Sequence, residues 1–171
     1  MTPTDELLGP ILRDVSRAFY LTLRVLPGEV RQSIGLFYLL ARTTDTIADT
    51  ELIPANKRML KLRQYRDRVR SEGAPMPDFS HLVREQQDDG ERRLLMHSPE
   101  IIALLEQTPA FDRGQIQLTL ETITRGQELD LGGEFSPPPG DPVSHFGAGL
   151  AKTMASNVFL SGLPLDFALQ N

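Results

Sequence analysis

The chain has 171 residues, enough for one domain with its own core and too few for two comfortable ones. Apolar residues make up 40% and charged residues 24%, ordinary globular usage that argues against wholesale disorder, and 18 basic against 23 acidic side chains give a net charge of -5 with no general attraction to nucleic acid. There is no cysteine, which excludes disulfides, thiolate-bound zinc, iron–sulfur clusters and thiol catalysis. No apolar run approaches the ~20 residues of a membrane span, and the N-terminus lacks a basic stretch leading into an apolar one. A protein of the reducing cytoplasm is expected.

From Thr4 to Val25, the residues Leu7, Leu8, Ile11, Leu12, Val15, Phe19 and Leu23 recur every three or four positions, the period of an amphipathic helix. Pro10 lies inside this run and predicts a kink or break near Gly9, and Pro27-Gly28 ends it. The segment from Glu29 to Thr50 is the most apolar of the chain, and Ile34, Leu36, Phe37, Leu39, Leu40 and Ala41 cover nearly every side of a helix. Its last turns, Arg42 to Asp49, become polar, so this end is expected to meet solvent or a ligand.

Pro54 opens a third helix carrying Leu62, Tyr65 and Val69 and ending at Gly73. Its Lys57, Arg58, Lys61, Arg63, Arg66, Arg68 and Arg70 read as a solvated basic face, with docking on an anionic membrane as the weaker alternative. Two helices follow, one around Ser80 to Met96 interrupted near Asp88-Asp89-Gly90, the other opened by Ser98 as N-cap before Pro99. Pro109 then introduces a long helix through Ile116, Leu120, Ile123 and Leu131. Beyond Gly132-Gly133 the chain changes character: Pro137-Pro138-Pro139-Gly140 excludes helix, and the remainder is small and apolar with few charges. These features predict an all-α domain over residues 1–133 and an atypical tail over 134–171.

Asp45 and Asp49 stand four apart, so on a helix they share a face with β-carbons about 6 Å apart. Two carboxylates at that spacing suit a hard cation such as Mg²⁺, whose coordination is commonly completed by water and substrate phosphates. Arg42 falls on the same face. Taken alone, such a trio reads more simply as a solvated helix end with an ordinary ion pair. Ser16 and Arg17 offer a hydroxyl and a forked guanidinium suited to phosphate oxygens. His81, His97 and His145 are scattered and suggest neither a triad nor a metal set.

The run from Asp14 to Pro27, containing Ser16-Arg17-Ala18-Phe19-Tyr20-Leu21-Thr22-Leu23-Arg24, is followed by Arg42-Thr43-Thr44-Asp45-Thr46-Ile47-Ala48-Asp49 and later by Gly126-Gln127-Glu128-Leu129-Asp130-Leu131. In order and spacing these segments resemble the squalene and phytoene synthase family over residues 4–132, and its bacterial squalene synthase type in particular. The resemblance implies a terpenoid synthase-like helical bundle around a central cavity. It implies that Asp45 and Asp49 hold Mg²⁺ against a prenyl diphosphate. Ser16, Arg17 and Arg42 are then expected to bind its phosphates, with Phe19 and Tyr38 near the reacting chain. The family reaction condenses two farnesyl diphosphates head to head through presqualene diphosphate, with NADPH supplying the final hydride. Phytoene synthase chemistry on geranylgeranyl diphosphate, and a non-catalytic fragment that binds prenyl diphosphate or a partner, are the alternatives.

Two departures stand out. Ala18 replaces a second serine of the family pattern, and residues 135–171 do not resemble the family's Tyr-x-Val-Ala-Gly segment or its second aspartate-rich helix. A truncated bundle is therefore expected, with little activity unless a complementing chain or an oligomer completes it. Contact with a membrane is expected to be peripheral at most.

Overall fold

The computed structural model describes residues 2–133, and these are all-α. A short helix α1 (Pro3–Glu6) runs through a π-helical turn (Leu7–Ile11) into α2 (Leu12–Val15), followed by α3 (Arg17–Val25) and α4 (Gly28–Asp49). Then come α5 (Ala55–Arg70), α6 (Ser80–Glu85), α7 (Asp89–Met96), α8 (Ser98–Gln107) and α9 (Ala110–Leu131). The expected tail over 134–171, and with it His145, lies outside the described residues.

Pro10 does not break the first helix. Lacking an N–H, it forfeits one helical bond, and the turn widens so that the Leu12 N–H reaches back to the Leu7 carbonyl. The break falls instead at Ser16, whose extended backbone (φ -161°, ψ 97°) separates α2 from α3. Its Oγ accepts the Phe19 N–H at 3.2 Å, satisfying one of the donors that a helix start leaves open. The periodic apolar residues run through this break because both helices press the same side onto the core.

The central element is α4, which packs against α2, α3, α5, α7, α8 and α9. Its residues from Leu36 to Ala41 are all buried, as apolarity on every side required. They meet Leu7, Ile11, Leu12 and Leu23 from the N-terminal helices, Leu62 and Tyr65 from α5, Leu94 and Ile101 from α7 and α8, and Ile116 and Leu120 from α9 in one core. Gly35 lets the N-terminal helices seat closely: a β-carbon there would stand 2.8 Å from Leu8 Cδ2 and 3.0 Å from Leu23 Cδ2. Gly90 is less forgiving, because its added carbon would meet the Asp14 carbonyl oxygen at 2.9 Å, and backbone cannot swing aside as a leucine can.

Three boundaries differ from expectation. The third predicted helix, α5, stops at Arg70 rather than Gly73. The interruption before α7 covers Gln86 to Asp88, and Asp88 caps α7 by accepting the Glu91 N–H at 2.9 Å. Ser98 is not a cap: it is already helical and buried, and its hydroxyl donates to the Leu95 carbonyl at 2.7 Å.

The basic face of α5 is also not simply solvated. Arg66 and Arg63 both pair with Glu128 of α9, Arg68 with Glu106 of α8, and Arg70 with Glu121 of α9, while Arg58 donates to the Ala48 carbonyl. Together with Gln117 donating to the Val69 carbonyl at 2.7 Å, these bonds stitch α5 to α9, with single links to α8 and α4. Part of the positive charge of this face is thus spent on neighbouring carboxylates. Among the described residues no helix is long and apolar enough to cross a membrane.

Candidate functional site

Tyr38, Arg42, Asp45 and Asp49 step by four, three and four along α4 and so form one stripe, about 16 Å from end to end. At the N-terminal end of the stripe, the Tyr38 ring stacks on Phe19 of α3, with ring centroids 3.9 Å apart and planes 13° from parallel. Both rings are buried. The stack brings together two residues expected near the substrate chain, and it also locks α3 onto α4. As it stands, Phe19 and Tyr38 face each other.

The C-terminal end of the stripe is buried to an extent the sequence did not suggest. Instead of meeting solvent, Thr43, Thr44, Asp45 and Thr46 are all enclosed, Asp45 with only 5% of its surface exposed. Thr43 and Thr44 resolve their polarity locally by donating to the Leu39 and Ala41 carbonyls at 2.8 and 2.7 Å. Asp45 has no such local partner. Its Oδ1 accepts from Gln127 Nε2 of α9 at 2.7 Å, while its Oδ2 is buried with no hydrogen-bond partner among the described residues. Asp49, one turn on, is exposed at the rim.

Burial pushes the Asp45 carboxyl up to about 7, and the nearby Asp49 and Glu91 charges add to this, against the opposing pull of Arg42 and the Gln127 hydrogen bond. The Asp49 carboxyl is raised as well, first by the protein crowding around it, with Glu91 and Asp130 adding and Arg42 and Arg58 opposing. Two carboxylates in this setting hold protons more tightly than they should, which marks a place short of positive charge.

Arg42 does not supply that charge in full. It forms an ion pair with Glu91 of α7, whose other oxygen accepts from Gln86 at 3.1 Å. Gln86 also donates to Thr50 at 3.3 Å, so the end of α4 is tied to the loop before α7. The acid pair thus sits where α4, α5, α7 and α9 converge, and residues from three other helices surround it.

An orphaned, buried carboxylate oxygen one helical turn from a second carboxylate fits a divalent cation. Among the described residues no group of three or more His, Asp or Glu side chains is placed to hold a metal. The donor set therefore suits an ion that takes one or two carboxylates and fills its remaining positions with water and phosphate oxygen, the habit of Mg²⁺.

Ser16 and Arg17 are not joined to this group. The Ser16 oxygen serves as the cap of α3, and Arg17 is exposed. Neither has a hydrogen bond or ion pair with Arg42, Asp45 or Asp49. His81 is exposed, and His97 lies 3.9 Å from Glu100, away from the acid pair.

The sequence profile of squalene/phytoene synthase matches residues 12–138, nearly three-quarters of the chain. The chain belongs to that family. Within it, the chain is 34% identical over 70 residues to squalene synthase BSS of Botryococcus braunii, covering 39% of this chain and 15% of that protein. It is 32% identical over 63 residues to squalene synthase of Schizosaccharomyces pombe, covering 37% and 14%. With squalene synthase of Solanum lycopersicum the identity is 36% over 59 residues, covering 34% and 14%. Each alignment thus spans about one-seventh of the relative's length. No solved structure matches the chain significantly.

Family membership accords with the all-α, terpenoid synthase-like fold and points to prenyltransferase-type enzymes of isoprenoid biosynthesis. Two members of the site escaped sequence reasoning. Glu91 lies 49 positions from its partner Arg42 and Gln127 lies 82 from Asp45, separations that no local periodicity reports. The only signal was that Gln127 falls in the same Gly126–Leu131 segment that carries the family likeness.

Proposed function

We propose that this chain binds a prenyl diphosphate through Mg²⁺ at Asp45 and Asp49, as part of a site for head-to-head condensation of two farnesyl diphosphates. The observation that supports it best is the Asp45 Oδ2 atom, buried and without a partner one turn from Asp49. Leaving such an atom unpaired costs about 1–3 kcal/mol or more when charged, and a cation removes that cost. The three relatives above bear the name squalene synthase, which favours farnesyl diphosphate over the geranylgeranyl diphosphate of a phytoene synthase.

Bound Mg²⁺ neutralises charge on the diphosphate and so makes it a better leaving group. The protein's own residues supply the rest. Asp45 and Asp49 would hold the ion through their carboxylate oxygens. Arg42, held by Glu91, keeps a positive charge beside the carboxylates and offsets part of the cost of ionising them. Arg17, exposed and without an ion-pair partner among the described residues, is free to fork onto a phosphate, and the Ser16 hydroxyl keeps its proton to donate while its oxygen caps α3. The Phe19–Tyr38 stack gives an apolar wall at the other end of the stripe, suited to the hydrocarbon part of the substrate.

The test is Mg²⁺-dependent binding of a non-hydrolysable farnesyl diphosphate analogue. Binding that disappears in Asp45→Asn and in Asp49→Asn supports the reading, and binding indifferent to both would sink it. Turnover is a separate matter. The chain alone, incubated with farnesyl diphosphate and Mg²⁺, with and without NADPH, is expected to give little presqualene diphosphate or squalene. A complementing chain that carries a second acidic pair is expected to raise the yield.

A further inference from the structure

We propose that Gln127 is a positioning residue, which holds Asp45 Oδ1 so that Oδ2 is the oxygen presented to a divalent cation. The inference rests on the reading of Asp45 and Asp49 as a cation site, and adds to it the group that sets the geometry of the more buried ligand.

The argument begins with Thr44. Its hydroxyl proton is committed to the Ala41 carbonyl at 2.7 Å, so towards Gln127 its oxygen can only accept. Gln127 Nε2 lies 3.2 Å from that oxygen and 2.7 Å from Asp45 Oδ1. Two acceptors on one side of the amide admit only one orientation, with the NH₂ group towards them. The same amide turned over would set its oxygen against two oxygens. Thr44 therefore fixes the Gln127 amide, and the amide fixes Asp45.

Nothing else does. Arg42 is paired with Glu91, and the second Asp45 oxygen has no partner among the described residues. Gln127 itself sits on a helix that cannot drift. The next residue, Glu128, is clasped by Arg63 and Arg66 of α5, and Gln117, three turns earlier, donates to the α5 backbone. A carboxylate that accepts a hydrogen bond on one oxygen offers the other in a defined direction, which is the usual work of an outer-shell partner behind a metal ligand.

The experiment measures Mn²⁺, standing in for Mg²⁺, by the electron paramagnetic resonance of the free ion at one pH above neutrality, on the full chain. Gln127→Met, which keeps the bulk and removes the donor, is expected to weaken Mn²⁺ binding 10- to 100-fold. Thr44→Val, close to threonine in shape, is expected to weaken it several-fold, and to cause no further loss once Gln127→Met is present. That non-additivity belongs to a relay and not to general loosening. Asp45→Asn is expected to abolish binding. If Asp45→Asn abolishes binding while Gln127→Met stays within twofold of the parent, the positioning role is wrong and the cation site stands. If Asp45→Asn has no effect, the cation site itself is wrong. Should Gln127→Met fail to fold by circular dichroism, Thr44→Val decides: unchanged affinity there would overturn the proposal.

Discussion

Between Leu36 and Ala41, α4 buries six aliphatic and aromatic residues in the common core; between Thr43 and Ala48, it buries six more, of which four are polar. Both halves belong to one helix, yet burial favours folding in the first and opposes it in the second. Each buried leucine of the first half contributes about 1.5–3 kcal/mol. In the second half, Thr43 and Thr44 are satisfied by their own helix, while the Thr46 hydroxyl and one Asp45 oxygen are left without a hydrogen-bond partner among the described residues. A sequence shaped by stability alone has no reason to place an aspartate there. The proposed cation site gives that aspartate a reason.

The largest expected effect comes from Asp45. Its folded-state value of about 7 lies above that of an unfolded aspartate, so the folded chain holds a proton the unfolded chain releases. Stability from this group is therefore fully present below about pH 4 and is lost as pH rises through 7, by at most about 4 kcal/mol. In urea melts from pH 4 to 8, Asp45→Asn is expected to remove that decline and to exceed the parent in stability at pH 8. Mg²⁺ is expected to restore the parent at high pH and to leave the variant unmoved. Its apparent affinity should climb up to tenfold per unit as pH approaches 7, then level off, because the ion displaces a proton. A parent and variant with parallel pH profiles would remove the distinction between the two halves.

Leu40→Ala probes the apolar half. This side chain is wholly buried in α4, and truncation is expected to cost about 3 kcal/mol with no dependence on pH or Mg²⁺. A loss that changed with Mg²⁺ would mean that the two halves are coupled, and that the cation site is sensed throughout the helix.

How much of this could be read from the sequence follows the same division. The apolar half of α4 was legible because a helix apolar on every side must be interior. The Asp45–Asp49 spacing was legible because four residues make a turn. The burial of Asp45 was not, since it depends on α7 and α9 closing over the polar end. The real break at Ser16 was hidden behind Pro10, the stronger local signal, which a π turn absorbed. The arginines of α5 looked solvated because their carboxylate partners lie more than 35 positions away.

Glu91→Gln sharpens the comparison from the α7 side. It leaves Arg42 partly buried beside two aspartates with its own counter-charge gone. Because the pair retains some contact with water, the expected cost is about 2 kcal/mol, below that of breaking a fully enclosed pair. Freed from Glu91, Arg42 is expected to turn towards Asp45 and Asp49 and to compete with Mg²⁺, weakening the ion several-fold in the same Mn²⁺ measurement. Stability lost with no change in Mn²⁺ affinity would confine Glu91 to holding α7.

Ser16 gives the smallest effect and separates two uses of one side chain. As the cap of α3 its oxygen satisfies the Phe19 N–H, and Ser16→Ala is expected to cost about 1 kcal/mol in urea melts. Glycine at an N-cap costs only a few tenths, because its backbone takes up the capping geometry readily and water reaches the open donor. Ser16→Gly is therefore expected to recover most of the stability lost in Ser16→Ala. Neither variant has a hydroxyl to donate to a phosphate, so a contact between Ser16 and the substrate predicts equal weakening of farnesyl diphosphate analogue binding in both. Weakening in Ser16→Ala alone, repaired in Ser16→Gly, would assign Ser16 entirely to the architecture that seats Phe19 against Tyr38.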